Sequence, residues 1–295
     1  MRAPAPQGET VVVTGASSGV GRETALAFAR RRARLVIASR SRESLEDVAA
    51  ECLQAGASEV IVHPTDIADA EQVDALFTTA VDRFGGVDVA AQCAATTVFG
   101  RFDSVPPSVF EAVVRTNLIG GANVARSAMG VFETAGTGQL ILVGSLLGFT
   151  AVPFQSPYVL SKFGIAALVR VLRQENRHLP RVRIHGVHPG PVDTPVYGAA
   201  ANFLGRAPRI PPGAASPATV ATAIVRIAAG RRSRQRQLGW VNVPSILVYK
   251  LLPTLFDRGI ADFLDRIAFT VKPVDVTEGN VFPDATGPAA SSPPT

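Results

Sequence analysis

From residue 10 to residue 187 short apolar runs alternate with longer amphipathic stretches, and few folds accept that order. The runs lie at residues 10–13, 34–38, 60–63, 87–91, 139–143 and 182–187, and most are rich in Val, Ile, Leu or Ala. Between them, residues 22–31, 43–54, 71–84, 109–132 and 157–177 read as helices with an apolar face. Strands separated by helices cannot pair as tight hairpins, so the sheet is predicted to be parallel and covered on both faces. The expected fold class is α/β, a doubly wound parallel sheet of Rossmann type.

A single domain is expected over residues 9–272, with a C-terminal apolar extension at 240–269. After Pro189 the pattern loosens. Residues 208–217 read as a Pro/Gly/Ala linker, residues 217–229 as a helix, and 240–269 as an apolar segment interrupted by Pro244 and Pro253. Residues 273–295 accumulate Pro, Gly and Ser and are expected to form a disordered tail.

Composition narrows the partners. The 295 residues carry a net charge of +5, almost wholly through arginine, since only Lys162, Lys250 and Lys272 are lysines. The densest basic cluster, Arg231, Arg232, Arg234 and Arg236, has no interleaved aromatics and reads as a solvated loop or helix end rather than a nucleic-acid surface. Two cysteines, Cys52 and Cys93, exclude a disulfide framework and fit a reducing, cytoplasmic compartment. The four histidines lack zinc-type spacing, so no metal is expected. No run reaches the ~18 apolar residues of a membrane span, and the N-terminus lacks the apolar core of a signal peptide. Peripheral membrane contact through Arg231–Arg236 and the neighbouring apolar segment stays open, as does a homo-oligomer.

The stretch 14–21 (TGASSGVG) stands between the first predicted strand and the first helix. Gly15 permits a tight turn, while Gly19 and Gly21 let backbone approach a pyrophosphate at the helix N-terminus, where free N–H groups favour negative charge. Ser17, Ser18 and Val20 complete that cradle. A unit selective for NAD(H) usually ends its second strand in a carboxylate that holds the ribose 2′-OH. Here Ser39 and Arg40 occupy that place, with Arg40 19 residues beyond Gly21. A guanidinium suits a 2′-phosphate and a carboxylate would repel one, so NADP(H) is favoured over NAD(H).

Tyr158 and Lys162 are spaced i, i+4 near the start of a predicted helix and project from one face of it. A phenol titrates near pH 10 and exchanges its proton poorly at neutral pH; a neighbouring ammonium should pull it down towards the working range. Ser145, just past the fifth predicted strand, lies at the carboxyl edge where open α/β sheets bind ligands, and its hydroxyl can hydrogen-bond a substrate oxygen.

Residues 14–21, Asn117, Ser145, Tyr158, Lys162 and the Pro189-Gly190 pair together resemble the ordered motifs of the short-chain dehydrogenase/reductase family, over roughly residues 9–200. The resemblance implies a Rossmann fold and hydride transfer between a nicotinamide and a carbonyl or alcohol carbon. By it, Tyr158 is the general acid/base, Lys162 binds the nicotinamide ribose while tuning Tyr158, and Ser145 positions the carbonyl. Asn117 bends its helix and holds a water of the proton relay. Asp66 and Ile67 contact the adenine, and Pro189, Gly190, Val192 and Thr194 sit against the nicotinamide carboxamide. Where the family has Asn-Asn-Ala-Gly after its fourth strand, this chain has Gln92, Cys93, Ala94 and Ala95. Cys93 is then expected near the cofactor as a buried small apolar residue rather than a redox sensor.

The substrate is expected to be a lipophilic small molecule, because Trp240, Ile246, Leu247, Leu251, Leu252, Leu255 and Phe256 offer apolar surface that could wall a cleft. Packing against the core or a subunit partner explains the same residues equally well. A non-catalytic NADP(H)-binding sensor or scaffold on the same fold is the alternative function.

Overall fold

Each buried strand of this protein serves two cores at once. The structure is a computed structural model that describes residues 8–230 and 232–282. Seven strands form one parallel sheet: β1 (Thr10–Thr14), β2 (Arg34–Ser39), β3 (Glu59–Pro64), β4 (Val89–Gln92), β6 (Gly138–Val143), β7 (Val182–Pro189) and β10 (Gln235–Leu238), ordered β3-β2-β1-β4-β6-β7-β10. Two small pairs lie outside it, β5 (Val98–Phe99) with β8 (Ala201–Asn202) and β9 (Arg206–Pro208) with β11 (Phe269–Pro273).

Successive side chains of a strand point to opposite faces. Val11, Val13, Leu35, Ile37, Ile141 and Val143 therefore share a core with α1 (Gly19–Ala29), α2 (Arg42–Gln54) and α8 (Pro217–Ala228). Val12, Val36, Ala38, Leu140 and Leu142 share the other with α3 (Ala70–Phe84), α5 (Gly120–Ala135) and α6 (Ser156–Glu175). A large side chain such as Phe28 or Phe132, fully buried in one of these layers, contributes ~1.5–3 kcal/mol. Ser41, Asp69 and Ser216 accept backbone N–H groups at the starts of α2, α3 and α8, each cap worth about 1 kcal/mol.

The single helix expected over residues 109–132 is instead α4 (Pro107–Val114), a π-helical turn (Arg115–Ile119) and α5. Beyond β7 come a short α7 (Val196–Ala199), then α9 (Asn242–Leu251) and α10 (Pro253–Ile267). Pro244 does not interrupt the apolar segment, because it falls in the first turn of α9, where no intrahelical N–H is lost; Pro253 opens α10.

Two expectations need correction. The arginine cluster is not a loop or helix end throughout: Arg236 lies on the edge strand β10, paired in parallel with β7, and Arg232 and Arg234 lead into it, while Arg231 lies outside the described residues. Residues 273–282, assigned by composition to a disordered tail, pack against the domain, with Val281 only 2% exposed in a cluster with Val98, Val105, Val109 and Val113. Residues 283–295 lie outside the described residues. Among the described residues no helix is long and apolar enough to cross a membrane.

Two buried histidines on β7 should make the fold acid-sensitive. The Arg234 backbone N–H donates to His185 Nδ1 at 3.2 Å, which leaves Nε2 as the donor towards Gln139 Oε1 at 3.3 Å. His188 stands edge-on to Phe149, ring centres 4.7 Å apart, and neither of its ring nitrogens has a partner among the described residues. Burial pushes both imidazoles down to about 4, with Arg183 adding repulsion at His185 and Lys162 at His188. A folded-state pKa below the unfolded ~6.5 means stability that is present above pH 6.5 and is lost as pH falls towards 4. Each histidine should contribute a loss of about 2–3 kcal/mol across that window. Thermal denaturation followed from pH 7 to 4.5 should show a falling midpoint, and His188→Gln should flatten the slope by about one proton.

Candidate active site

The strand order reverses at β1, which has β2 on one side and β4 on the other, and a crevice opens at the carboxyl ends of such neighbours. A cleft of about 800 Å³ lies there. One end is lined by Gly15, Ser17, Ser18, Gly19, Val20 and Gly21. Ser18, at the N-cap of α1, makes no side-chain capping bond, and the first turn carries no acidic residue. The N–H groups that α2, α3 and α8 satisfy with side chains are thus left for a ligand in α1.

The turn is clamped from both sides. Gly15 has φ +68°, and a Cβ there would lie 2.5 Å from Ala94 Cα in the chain leaving β4. A Cβ on Gly19, at φ +52°, would lie 3.2 Å from Thr194 Cγ2. Ala94, and Ala95 where the family pattern has Gly, line the cleft beside the Gly-rich turn.

Ser39 and Arg40, at the end of β2, line the same end, as do Asp66 and Ile67 beyond β3. Asp66 Oδ1 accepts from the Ala68 N–H at 2.9 Å, and Ile67 packs on Gly120. The Arg40 guanidinium is not simply solvated. It donates to the Asn280 carbonyl at 2.6 Å and the Val281 carbonyl at 3.3 Å.

Ser145, Tyr158 and Lys162 converge at the middle of the cleft. Ser145 starts a single 3₁₀ turn (Leu146–Gly148) and accepts from the Leu147 N–H at 3.1 Å. One turn of α6 places Lys162 Nζ 5.4 Å from the centre of the Tyr158 ring, and Nζ donates to the Val143 carbonyl at 3.0 Å, at the end of β6. Burial lowers the Lys162 ammonium to about 8. Burial also pushes the Tyr158 phenol up to about 12, against a hydrogen bond from Ser145 that pulls it down. The expected depression of Tyr158 by Lys162 does not appear in the protein alone, where burial sets the direction and the Ser145 hydrogen bond alone opposes it.

Asn117 is brought close but does not line the cleft. Its Oδ1 accepts from the Thr96 N–H at 2.8 Å, and its Nδ2 donates to the Thr96 carbonyl at 2.8 Å and to Ser161 Oγ at 3.2 Å. It sits in the π-helical turn that deforms the α4–α5 helix, and it braces the chain leaving β4. Gln92 Nε2 closes the same bend by donating to the Ala94 carbonyl at 2.7 Å. Cys93 lines the cleft, but burial pushes its thiol up to about 12, so it packs as a small apolar group rather than a reactive thiolate. Pro189, Gly190, Val192 and Thr194 form the wall beyond Lys162, and the Gly190 N–H donates to the Leu238 carbonyl at 2.8 Å.

The far end of the cleft is apolar. Phe256, Ile260, Leu264 and Ile267, on one face of α10, line it with Phe263 at its edge. Of the apolar residues singled out in the sequence, only Phe256 belongs to this wall. Trp240 and Leu251 are 82% and 72% exposed, and Leu247, Leu252 and Leu255 are exposed too. Tyr197, Asn280 and Phe282 line the cleft without having been anticipated. Tyr197, one of only three tyrosines, offered a weak signal through its rarity; nothing in the local sequence of Asn280 or Phe282 does.

Comparison with known proteins fits this geometry. Residues 9–203 match the family model described as short chain dehydrogenase. An uncharacterized oxidoreductase, YxnA, of Bacillus subtilis is 28% identical over 279 residues, 94% of this chain and 78% of its own. Sepiapterin reductase of Chlorobaculum tepidum is 32% identical over 195 residues, 64% of this chain and 79% of its own. Among solved structures, an alcohol dehydrogenase from the archaeon Thermococcus sibiricus, complexed with 5-hydroxy-NADP, superposes with a TM-score of 0.69 at 30% identity over 78% of this chain and 95% of its own.

The Gly15 constraint is open to test. Gly15→Ala places a Cβ against Ala94 at a positive φ, a strain of roughly 1–3 kcal/mol. The variant should melt several degrees below wild type and lose dinucleotide binding; unchanged binding by fluorescence titration would mean that the clamp is not needed.

Proposed function

The chain belongs to the short-chain dehydrogenase family and is an oxidoreductase acting on alcohol or carbonyl groups; from that premise we propose that it is an NADP(H)-dependent reductase/dehydrogenase of lipophilic small molecules. The observation that carries the proposal is the convergence of Ser145, Tyr158 and Lys162 on a cleft that joins the uncapped start of α1 to the apolar face of α10.

The residues present fit a dinucleotide. In the turn 14–21 the absence of Cβ atoms lets Gly15 pack against Ala94, Gly21 against the Gly15 carbonyl and Gly19 against Thr194, and the uncapped N–H groups of α1 would hold a pyrophosphate. Ser39 and Arg40 would hold the 2′-phosphate, Asp66 and Ile67 the adenine, and Pro189, Gly190, Val192 and Thr194 the carboxamide. Lys162 has three N–H donors and gives one to Val143, which leaves two for ribose hydroxyls. When bound, NADP(H) supplies or accepts the hydride.

The rest is proton chemistry of this chain. In reduction the Tyr158 hydroxyl donates its proton to the substrate oxygen as charge develops on it, while the Ser145 hydroxyl hydrogen-bonds that same oxygen. The Lys162 ammonium faces the phenolate left behind and favours it. In oxidation the proton runs back to Tyr158. Asn117, through Thr96 and Ser161, positions the chain around that group, and its water-holding role in the relay belongs to the proposal. Phe256, Ile260, Leu264 and Ile267 would receive an apolar substrate body.

Two experiments bear on this. The first is a titration of NADPH and NADH into wild type and Arg40→Ala. NADPH should bind more tightly to the wild type, and the variant should lose about tenfold or more of that preference, the effect of one charge-assisted hydrogen bond. Equal wild-type affinities would sink the NADP(H) assignment. The second is turnover of a panel of ketones, aldehydes and hydroxysteroids by wild type and Tyr158→Phe. The variant should lose about 10²–10⁴ in rate while still binding NADPH. Near-normal turnover by the variant would remove Tyr158 from the mechanism, and inert wild type that binds NADPH would favour a sensor.

A further inference from the structure

The stretch that follows β11 crosses the cofactor end of the cleft and touches both of its walls. Thr277 and Asn202 exchange backbone hydrogen bonds of 3.0 and 2.7 Å beside β8. The Asn280 N–H donates to the Ala199 carbonyl at 2.9 Å, and Asn280 Oδ1 accepts from the Thr96 hydroxyl at 3.1 Å. These contacts tie the strap to the wall that carries Tyr158. On the opposite wall the only side chain bonded to it among the described residues is Arg40, through the carbonyls of Asn280 and Val281. Val281 anchors the strap in the apolar cluster of Val98, Val105, Val109 and Val113. Gly279, at φ +55°, makes the bend that brings it there.

We propose that this strap, residues 277–282, is a working part of the dinucleotide site that aims Arg40 at the cofactor's 2′-phosphate. The inference rests on the NADP(H) reading above. Arg40 lies exposed at a strand end, on a long side chain with many rotamers. A guanidinium has five N–H donors, and the strap carbonyls engage one on each terminal nitrogen, leaving three. Two neutral carbonyls hold the group in place without cancelling its charge, as a carboxylate partner would. The phosphate then meets a fork whose ordering is already done, which is the advantage of a preorganised site. NADH has no 2′-phosphate and gains little from the fork. The strap therefore acts on the choice between the two cofactors rather than on dinucleotide binding in general.

The opposite arrangement is also conceivable chemically: carbonyls and phosphate could compete for the same donors. The two differ in sign, and so can be separated. Dissociation constants for NADPH and NADH would be measured on wild type, on a chain ending at Val276, and on Asn280→Ala, which removes the Thr96 tether while leaving Val281 in its cluster. Aiming predicts that NADPH weakens by about tenfold in the truncated chain and NADH by less than about threefold, with Asn280→Ala shifting the ratio in the same direction. Circular dichroism reports whether the truncated chain folds; if it does not, the ratio in Asn280→Ala decides. Tighter NADPH binding in either variant means competition and overturns the proposal. An equal loss for both cofactors, or no change, makes the strap a plain wall and overturns it as well. If wild type itself does not distinguish NADPH from NADH, the NADP(H) reading fails and takes this inference with it, whereas a wild-type preference that survives both variants sinks the strap alone.

Discussion

The reversal of strand order at β1 is the constraint on which the site depends. From β1 the chain builds β2 and β3 outward on one side, then returns through α3 to β4 on the other. α1 leaves β1 towards one face of the sheet and α5, beyond β4, lies on the other, so neither covers the carboxyl ends between them. Backbone must fill part of that gap without side chains. Gly15 passes Ala94 too closely for a Cβ, and Gly21 does the same against the Gly15 carbonyl. Glycine at these points is what leaves the first N–H groups of α1 facing an open cleft.

Much of this was legible in the sequence because it is local and periodic. Six of the seven strands of the main sheet show as short apolar runs, and the i, i+4 spacing of Tyr158 and Lys162 already implies a shared helix face. What was hidden lacks local period. β10 reads Gln-Arg-Gln-Leu, a polar edge strand paired on one side only, so no apolar run announces it. β5 and β8 are two residues long and meet across a hundred residues of chain. Residues 273–282 have the composition of a tail, and only the position of Val281 in the fold turns them into a packed strap. The partners of Arg40 lie 240 and 241 residues away and are backbone carbonyls, which carry no sequence signal at all.

The apolar extension illustrates how a residue list becomes a surface. Phe256, Ile260, Leu264 and Ile267 recur at helical spacing and face the cleft, while Trp240, Leu247, Leu251, Leu252 and Leu255 are left exposed. Sequence alone could not divide the two sets, because the helix axis and its distance from β7 decide which face is inward. Pro253 makes the division possible: by ending α9 and opening α10 it lets the second helix take its own direction across the cleft.

The chemistry of the site turns on burial more than on the pairing that its spacing suggests. Burial moves Tyr158 up to about 12 and Lys162 down to about 8, so each group is pushed towards its neutral form. At neutral pH Lys162 keeps its proton and so does Tyr158. A protonated phenol is the form that carbonyl reduction consumes, and a high pKa does not disable it. An alkoxide is a far stronger base than a phenolate, so in the proposed reduction proton transfer from Tyr158 would run downhill once charge had developed on the substrate oxygen. The phenolate so produced would face an ammonium on which, among the described residues, burial and Cys93 rather than any carboxylate act, in surroundings that strengthen their attraction. In the proposed reduction Lys162 would therefore contribute least before the proton moves and most after it, and a difference of that kind lowers a barrier.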